Sequence, residues 1–280
     1  MIEAIKLLKD RRNPVYFFDL FKNRTLRDVD KILFSFTLDL ERDTKGNFEV
    51  KQLNSILDFL KDYGKGTFFV ETSLLKNKSF GLDKHEVGSH GFGHLALGDD
   101  WWISNKEKAG SRFENVKKST ELIKDILNVR PISFRCPKFS IGSGLKSVLF
   151  EQGYKVDSSE NPHNPNFLPN EEKKILEIPV SRYFKPNLKF KRVVPYLKYD
   201  SLMFSNLKSR GVDRFFNLSK KIAQSWPENK VPLLNFMCHN WDFESRNDIK
   251  LVTQYFNKLE ESFKVQFLSL KDYQGLVKNE

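Results

Sequence analysis

Short apolar segments alternate with longer amphipathic ones along this 280-residue chain. Lys31–Leu38, Thr67–Val70 and Glu86–Ser89 are rich in β-branched, aromatic or small residues, as strands are. Val50–Tyr63 and residues 106–128 carry apolar side chains at helical spacing. Strands separated by helices pair in parallel, and a parallel sheet in a chain of this length is expected to close. We therefore predict an α/β fold, a distorted (β/α) barrel of about seven strands.

The same pattern continues toward the carboxyl terminus, with helices predicted at Gly144–Gln152 and Lys250–Phe263. Further strands are predicted at Ile132–Arg135, Tyr154–Val156, Ile175–Val180, Val231–Met237 and Val265–Leu268. No internal repeat or linker interrupts the pattern. We predict one barrel domain over residues 31–280, preceded by a helical extension over residues 1–30 and carrying a basic insertion at about 160–230.

The sequence predicts neither a membrane-spanning segment nor a secretory signal. No run of about eighteen apolar residues occurs, and Glu3 stands where a secretory signal would carry only basic residues. The two cysteines, Cys136 and Cys238, are interpreted as buried small residues rather than a disulfide. We therefore expect a cytoplasmic protein.

The formal net charge of +11 is concentrated in one segment. Residues 181–230 contain twelve basic and three acidic residues, a net charge of +9, together with nine aromatic residues. Such a segment suits an anionic partner with an apolar part, such as a membrane surface or a polyprenyl phosphate. It equally fits a solvated basic face in front of a core, and the sequence leaves both open. We expect no nucleic-acid partner.

Reactive side chains follow the predicted strands at their carboxyl ends, where barrel enzymes carry their active sites. Asp39 and Glu41 lie two residues apart after the first strand, so both point to one side. His90 and His94, four residues apart with small residues between them, can converge on one cation. Three further polar residues end or follow later strands: Arg135, Asp157 and His239.

These motifs together resemble those of the polysaccharide deacetylases, the NodB-homology group of carbohydrate esterase family four. The resemblance covers roughly residues 31–270 and follows the order of the family's motifs. It rests on Gly66–Val70 (GTFFV), Ser89–His94 (SHGFGH), Phe134–Pro137 (FRCP), Gly153–Ser159 (GYKVDSS) and His239 at the end of an apolar strand. The fold it implies is the NodB-type deacetylase barrel.

Two positions depart from the usual family pattern. The first motif usually has adjacent acids, whereas here Leu40 separates Asp39 from Glu41. This spacing is similar to the branch whose first motif is Asp-x-Asp or Asp-x-Glu. Lys138 stands where many members have an aromatic residue that lines the sugar site.

The resemblance implies a divalent metal ion, Zn²⁺ by preference, held by Glu41, His90 and His94. Two histidines and one carboxylate leave open positions for water and a substrate carbonyl, as in other metallohydrolases.

The resemblance also implies an acid–base pair. Asp39 would act as the general base, and His239 would protonate the leaving amine. Arg135 is expected to pair with Asp39, and Asp157 to orient His239 in the same way.

The implied activity is metal-dependent hydrolysis of an N-acyl group, N-acetyl before others, from an amino sugar in a glycan or glycolipid precursor. Two alternatives stay open. One is a deformylase of a polyprenyl-phosphate-linked aminosugar, and the other is a non-catalytic protein of the same fold that binds anionic glycan or lipid. The basic segment favours a lipid-linked or anionic substrate and peripheral contact with an anionic membrane.

Overall fold

The computed structural model describes residues 26–75, 80–98, 111–160, 168–185 and 198–279. Most of the predicted helical extension therefore lies outside the described residues. Its last part, residues 26–30, runs into the first strand without forming a helix.

Strands and helices alternate through the described chain, as the sequence pattern predicts. The strands are β1 (Lys31–Leu40), β2 (Thr67–Val70), β3 (Glu86–Ser89), β4 (Ser133–Phe134), β5 (Val156–Asp157), β6 (Asn170–Glu172), β7 (Ile175–Glu177), β8 (Arg182–Lys185), β9 (Lys198–Ser201), β10 (Leu233–His239) and β11 (Lys264–Phe267). The α-helices are α1 (Val50–Leu60), α2 (Arg112–Leu127), α3 (Leu145–Glu151), α4 (Phe204–Arg210), α5 (Val212–Gln224), α6 (Arg246–Ser262) and α7 (Leu270–Asn279).

Nine of the strands in the described residues form one sheet in the order β10-β1-β2-β3-β4-β5-β7-β6, with β11 also paired to β1. All neighbours pair in parallel except β6, which is antiparallel to β7. Strands β8 and β9 form a separate antiparallel hairpin. The predicted α/β barrel is thus confirmed.

The two edges of the sheet approach each other between β10 and the segment that follows β7. The backbone N–H of Ser181 donates to the carbonyl of Asn235 (3.0 Å), and the N–H of Asn235 donates to Oγ of Ser181 (2.8 Å). The Asn235 side-chain amide donates to the carbonyls of Ile178 (3.2 Å) and Pro179 (3.1 Å). Because these bonds replace a regular strand pairing, the barrel is distorted.

An aromatic core fills the space between the sheet and helices α5 and α6. The ring centroids of Phe34 and Phe256 lie 4.9 Å apart at 70°, and those of Phe215 and Tyr255 lie 4.8 Å apart at 75°. Edge-to-face pairs of this kind stabilise a core beyond the area that they bury. The first pair packs α6 against β1, the strand that carries Asp39 near its carboxyl end.

The basic segment is in part a solvated face with a core behind it. Four of its nine aromatic residues, Phe204, Phe215, Phe216 and Trp226, are at most 8% exposed. They therefore cannot belong to an aromatic docking surface. The cations between positions 186 and 197 lie outside the described residues.

Two simpler expectations concern the cysteines and the membrane. Cys136 and Cys238 are buried free thiols, as predicted. None of the helices in the described ranges combines the length and apolar character needed to cross a bilayer.

Candidate active site

The parallel register brings residues that are far apart in sequence to one end of the barrel. Asp39 on β1 and His239 on β10 are direct neighbours in the sheet. His90 directly follows β3, and Arg135 directly follows β4, which is paired to β3. Because parallel strands end at the same edge, these four side chains meet at the carboxyl end of the barrel.

The three predicted metal ligands converge. Oε2 of Glu41 lies 3.2 Å from Nε2 of His90 and in close contact with Nε2 of His94. One ligand atom from each residue lies within 4.8 Å of the others. Glu41 and His90 are buried, whereas the His94 side chain is 33% exposed, so the cluster opens to solvent on the His94 side.

The hydrogen bonding of His90 indicates what this cluster can hold. Its Nδ1 lies 2.8 Å from the carbonyl oxygen of Arg135, which can only accept, so Nδ1 carries the proton. A neutral His90 therefore turns the lone pair of Nε2 toward Oε2 of Glu41, and that buried oxygen receives no conventional hydrogen bond from any described residue. Two acceptors at 3.2 Å repel unless a cation or a proton lies between them. Two imidazoles and a carboxylate are a donor set that suits Zn²⁺, so the residues fit the implied metal.

The pKa shifts in the cluster agree with this interpretation. Burial raises the pKa of Glu41, but His90 and His94 outweigh it and hold that pKa well below its usual range. Burial lowers the pKa of His90, but the charges of Asp39 and Glu41 outweigh it, so the net shift is upward. A proton thus competes with a metal ion for the same position.

Asp39 is held by a buried guanidinium. Nη1 of Arg135, whose side chain is fully buried, donates to Oδ1 of Asp39 at 2.8 Å. Nη2 donates to the hydroxyls of Thr37 and Ser158, each at 2.9 Å, and Nε donates to the Ser158 carbonyl at 3.2 Å. The guanidinium also lies 4.3 Å from the ring centroid of Phe69. Because hydrogen bonds to Thr37 and Ser158 hold the guanidinium in place, Arg135 fixes the direction of the Asp39 carboxylate.

His239 takes a fixed orientation from its own loop. Its ring stacks on Trp241, with centroids 4.4 Å apart at 12°. Its backbone N–H donates to Oδ2 of Asp242 at 2.7 Å, and Nδ1 lies 3.4 Å from the same oxygen. Nε2 then points into the site, 3.8 Å from Oε1 of Glu41. Burial lowers the pKa of His239, but the hydrogen bond to Asp242 and the charge of Asp39 outweigh it, and the net shift is upward.

Asp157 does not contact His239, contrary to the sequence-based expectation. It accepts a hydrogen bond from the hydroxyl of Ser159 and lies beside Glu177 across the β5–β7 pairing. Nζ of Lys146, on α3, lies 3.3 Å from Oε2 of Glu177. Asp157 thus belongs to a buried charged cluster beneath α3.

The alternation of side chains along a strand explains this difference. Ser158 points into the barrel, where its hydroxyl contacts Arg135 and the amide of Asn235. Its neighbour Asp157 must then point to the opposite face of the sheet. The sequence predicted the strand end correctly but not which of the two residues faces the site.

The loop that carries His90 and His94 has anchors that were not predicted from the sequence. Oε1 of Glu71 accepts the backbone N–H of Gly93 at 2.7 Å. The side-chain amide of Asn115 bonds both the N–H (3.1 Å) and the carbonyl (3.0 Å) of Phe92. Glu71 directly follows β2, so the strand-end signal that singled out Asp39 also applied to it.

Comparisons with known proteins identify the fold. No protein-family profile matches this sequence, and no curated protein sequence matches it. Among solved structures, a probable polysaccharide deacetylase from Pseudomonas aeruginosa PAO1 has 14% identity and a TM-score of 0.62, covering 90% of this chain and 92% of that one. An allantoinase has 15% identity and a TM-score of 0.57, covering 88% of this chain and 89% of that one.

A third similar structure is a variant, with restored activity, of a family-four carbohydrate esterase pseudoenzyme from Bacillus anthracis. It has 14% identity and a TM-score of 0.54, and the alignment covers 88% of this chain and 69% of that one. The class that the fold defines is therefore the NodB-type deacetylase barrel. At these identities the likeness concerns the fold, and the activity must be argued from the site.

Proposed function

We propose that this protein is a metal-dependent hydrolase that removes an N-acyl group, N-acetyl before others, from an amino sugar. The observation that carries the proposal is the pair of facing acceptors, Oε2 of Glu41 and Nε2 of His90, 3.2 Å apart and in reach of His94. An acid–base pair, Asp39 and His239, flanks this cluster on neighbouring strands. The combination suits hydrolysis of an amide.

Glu41, His90 and His94 would hold the divalent cation, Zn²⁺ by preference. When bound, such an ion supplies Lewis-acid chemistry, polarising an amide carbonyl and acidifying water. The partial exposure of His94 leaves an approach for the acyl group.

Asp39 is suited to act as the general base. Arg135 occupies Oδ1, which leaves Oδ2 directed into the cluster, 3.9 Å from Nε2 of His90. From there Oδ2 can accept a proton from a water molecule that attacks the acyl carbon. A buried carboxylate paired on one oxygen keeps the other free for this transfer.

His239 is suited to act as the general acid. Asp242 and Trp241 fix the ring, and 24% of its side chain is exposed, so Nε2 can reach a leaving amine. Its raised pKa favours the protonated form, which the amine needs in order to leave. A protein that only binds glycan or lipid does not require a general base and a general acid, so the presence of both Asp39 and His239 argues against that alternative.

The test is release of free amine from N-acetyl and N-formyl forms of one amino sugar by zinc-loaded protein. We expect release that a chelator abolishes and that Asp39→Asn and His239→Ala each reduce by about 10²–10⁴-fold. His85→Gln, a histidine outside the site, is the matched control. Equal rates with and without metal, or full activity in both site variants, would contradict the proposal. The ratio of the two rates decides between a deacetylase and a deformylase.

A further inference from the structure

The short 3₁₀ turn after β4, at Pro137–Phe139, has an unusual backbone. Lys138 and Phe139 both adopt the left-handed conformation, with φ of 60° and 52°. This region is unfavourable for residues with a Cβ and is visited mostly by glycine and asparagine. Two such residues in succession persist only where the surroundings hold them, and outliers of this kind cluster at functional sites.

Hydrogen bonds on both sides clamp this turn. The N–H of Phe139 donates to the carbonyl of Cys136 (3.0 Å), and that of Ser140 donates to the carbonyl of Pro137 (3.2 Å). The N–H of Cys136 donates to the hydroxyl of Ser159 at 2.7 Å. The conformation of Lys138 is therefore fixed by the fold.

The turn lies against the loop that carries His90 and His94. Pro137 packs against Gly91, since a Cβ atom placed on that glycine would lie 3.6 Å from Cγ of Pro137. On the other side of the turn, the ring centroid of Phe139 lies 5.8 Å from Cζ of Arg135. The two residues that flank Lys138 thus contact the loop that carries His90 and the guanidinium that holds Asp39. The Lys138 side chain is exposed and forms no ion pair with any residue in the described part of the chain.

Two nearby cations are already engaged. Nζ of Lys118 lies 3.5 Å over the ring of Phe92, and Nη1 of Arg42 donates to the carbonyl of Gly46 at 3.4 Å. The side chain of Lys138 by contrast has no such contact with any residue that the structure describes. A compact, strongly hydrated charge on a flexible stem suits recognition of a phosphate or carboxylate group.

We propose that Lys138 is a specificity-determining residue that binds an anionic group, a phosphate or a carboxylate, carried by the sugar substrate. The inference rests on the proposed function, because it assigns the substrate class of the same site. The buried carboxylates of the site would not repel an anionic substrate, since Arg135 balances the charge of Asp39 and a bound cation would balance that of Glu41. An ammonium that contacts the substrate outside the reacting bond acts on binding, so it should change KM more than kcat.

The experiment compares three sugars that share one ring: N-acetylglucosamine, N-acetylglucosamine 1-phosphate and N-acetylmuramic acid. The first is neutral, the second carries a phosphate group and the third carries a carboxylate group. The variant is Lys138→Asn, because asparagine tolerates the left-handed backbone, so the ammonium group is removed without added backbone strain. The matched control is Lys174→Asn, an exposed lysine with φ of 62° in the turn between β6 and β7, at the amino ends of the strands.

We expect zinc-loaded wild type to prefer at least one anionic sugar, and Lys138→Asn to raise KM for that sugar by about tenfold. In Lys138→Asn, KM for the neutral sugar should stay within about twofold of the wild type. Lys138→Arg should keep the preference for the anionic sugar, and added salt should weaken that preference in the wild type. Lys174→Asn should match the wild type throughout. Equal kcat/KM for all three sugars in the wild type, or an equal loss on all three in Lys138→Asn, would overturn the proposal.

Failure of the proposed function has a separate signature, which is no hydrolysis of any of the three sugars. In that case binding of glucosamine and glucosamine 1-phosphate to the zinc-loaded protein is measured by calorimetry. Tighter binding of the phosphate in the wild type, lost in Lys138→Asn, supports the anionic site. Equal binding of the two compounds overturns it.

Discussion

Leu40 shows how a single residue shapes the candidate site. Its side chain is fully buried, so it faces the core while its neighbours Asp39 and Glu41 face the site. The two acids therefore share one face although they are not adjacent in sequence. The longer side chain of Glu41 reaches both histidines, while Asp39 reaches Arg135.

Asp242 provides a residue-scale prediction because it is the described partner of His239. Asp242→Asn removes the charge that raises the pKa of His239, so the basic limb of the kcat/KM profile should move to lower pH. We expect kcat to fall by about 10–100-fold with zinc content unchanged. A pH–rate profile and metal analysis of the variant check both statements.

Asp157→Asn is the informative companion to that variant. Since Asp157 faces away from His239, its substitution should leave the basic limb where it is in the wild type. If the basic limb moves in Asp157→Asn and not in Asp242→Asn, then Asp157 and not Asp242 is the residue that raises the pKa of His239.

At the scale of elements, the loop between β3 and α2 depends on Glu71 for its shape. Glu71→Ala leaves the N–H of Gly93 without its acceptor, and we expect zinc affinity to fall by about 10–100-fold while the fold is retained. Glu71→Gln keeps an acceptor oxygen in place and should stay close to the wild type. Competition with a chelating dye measures both, and identical affinities for Glu71→Ala and the wild type would contradict the anchoring role.

Strand β3 packs so closely that it requires glycine at one position. A Cβ on Gly88 would lie 2.7 Å from the ring of Phe69 and 2.9 Å from the carbonyl of Ser133. Gly88→Ala should therefore lower the free energy of unfolding by about 1–3 kcal/mol. Gly275→Ala, on α7 with open space around it, is the control and should be neutral or stabilising in the same denaturant titration.

The elements show why some site residues could be predicted from the sequence and others could not. The convergence of Asp39, His90 and Arg135 could be predicted because strand ends of a parallel sheet lie together, and that rule needs only the strand pattern. Asp157 was misplaced because β5 has only two residues, too few for alternation to show which side faces inward. Asp242 was not predicted because it lies in a short 3₁₀ turn, Asn240–Asp242, which leaves no periodic pattern of apolar residues in the sequence.

At the scale of the whole molecule, the buried cluster beneath α3 links stability to pH. Burial, and then the charge of Asp157, raise the pKa of Glu177 well above its usual value, while Lys146 opposes the shift. The folded protein therefore keeps a proton that the unfolded chain releases above about pH 4.5. The stability that depends on this proton is present below that pH and is lost as pH rises toward the folded pKa.

Glu177→Gln should remove that dependence. The amide that replaces the carboxyl group is not ionisable, and it retains an oxygen that can accept the N–H of Glu160. We expect the variant to gain stability relative to the wild type as pH rises from about 5 to about 9, which urea unfolding at several pH values would measure. A difference in stability that stays constant across this range would show that Glu177 does not carry the proton.

Zinc binding decides whether Glu41, His90 and His94 form a metal site. We predict that the wild type binds one zinc ion per chain and that Glu41→Gln weakens binding by more than about 100-fold. Glu49→Gln, an exposed acid at the start of α1, is the control and should bind as the wild type does. No zinc binding by the wild type, or equal affinity in Glu41→Gln, would contradict the account.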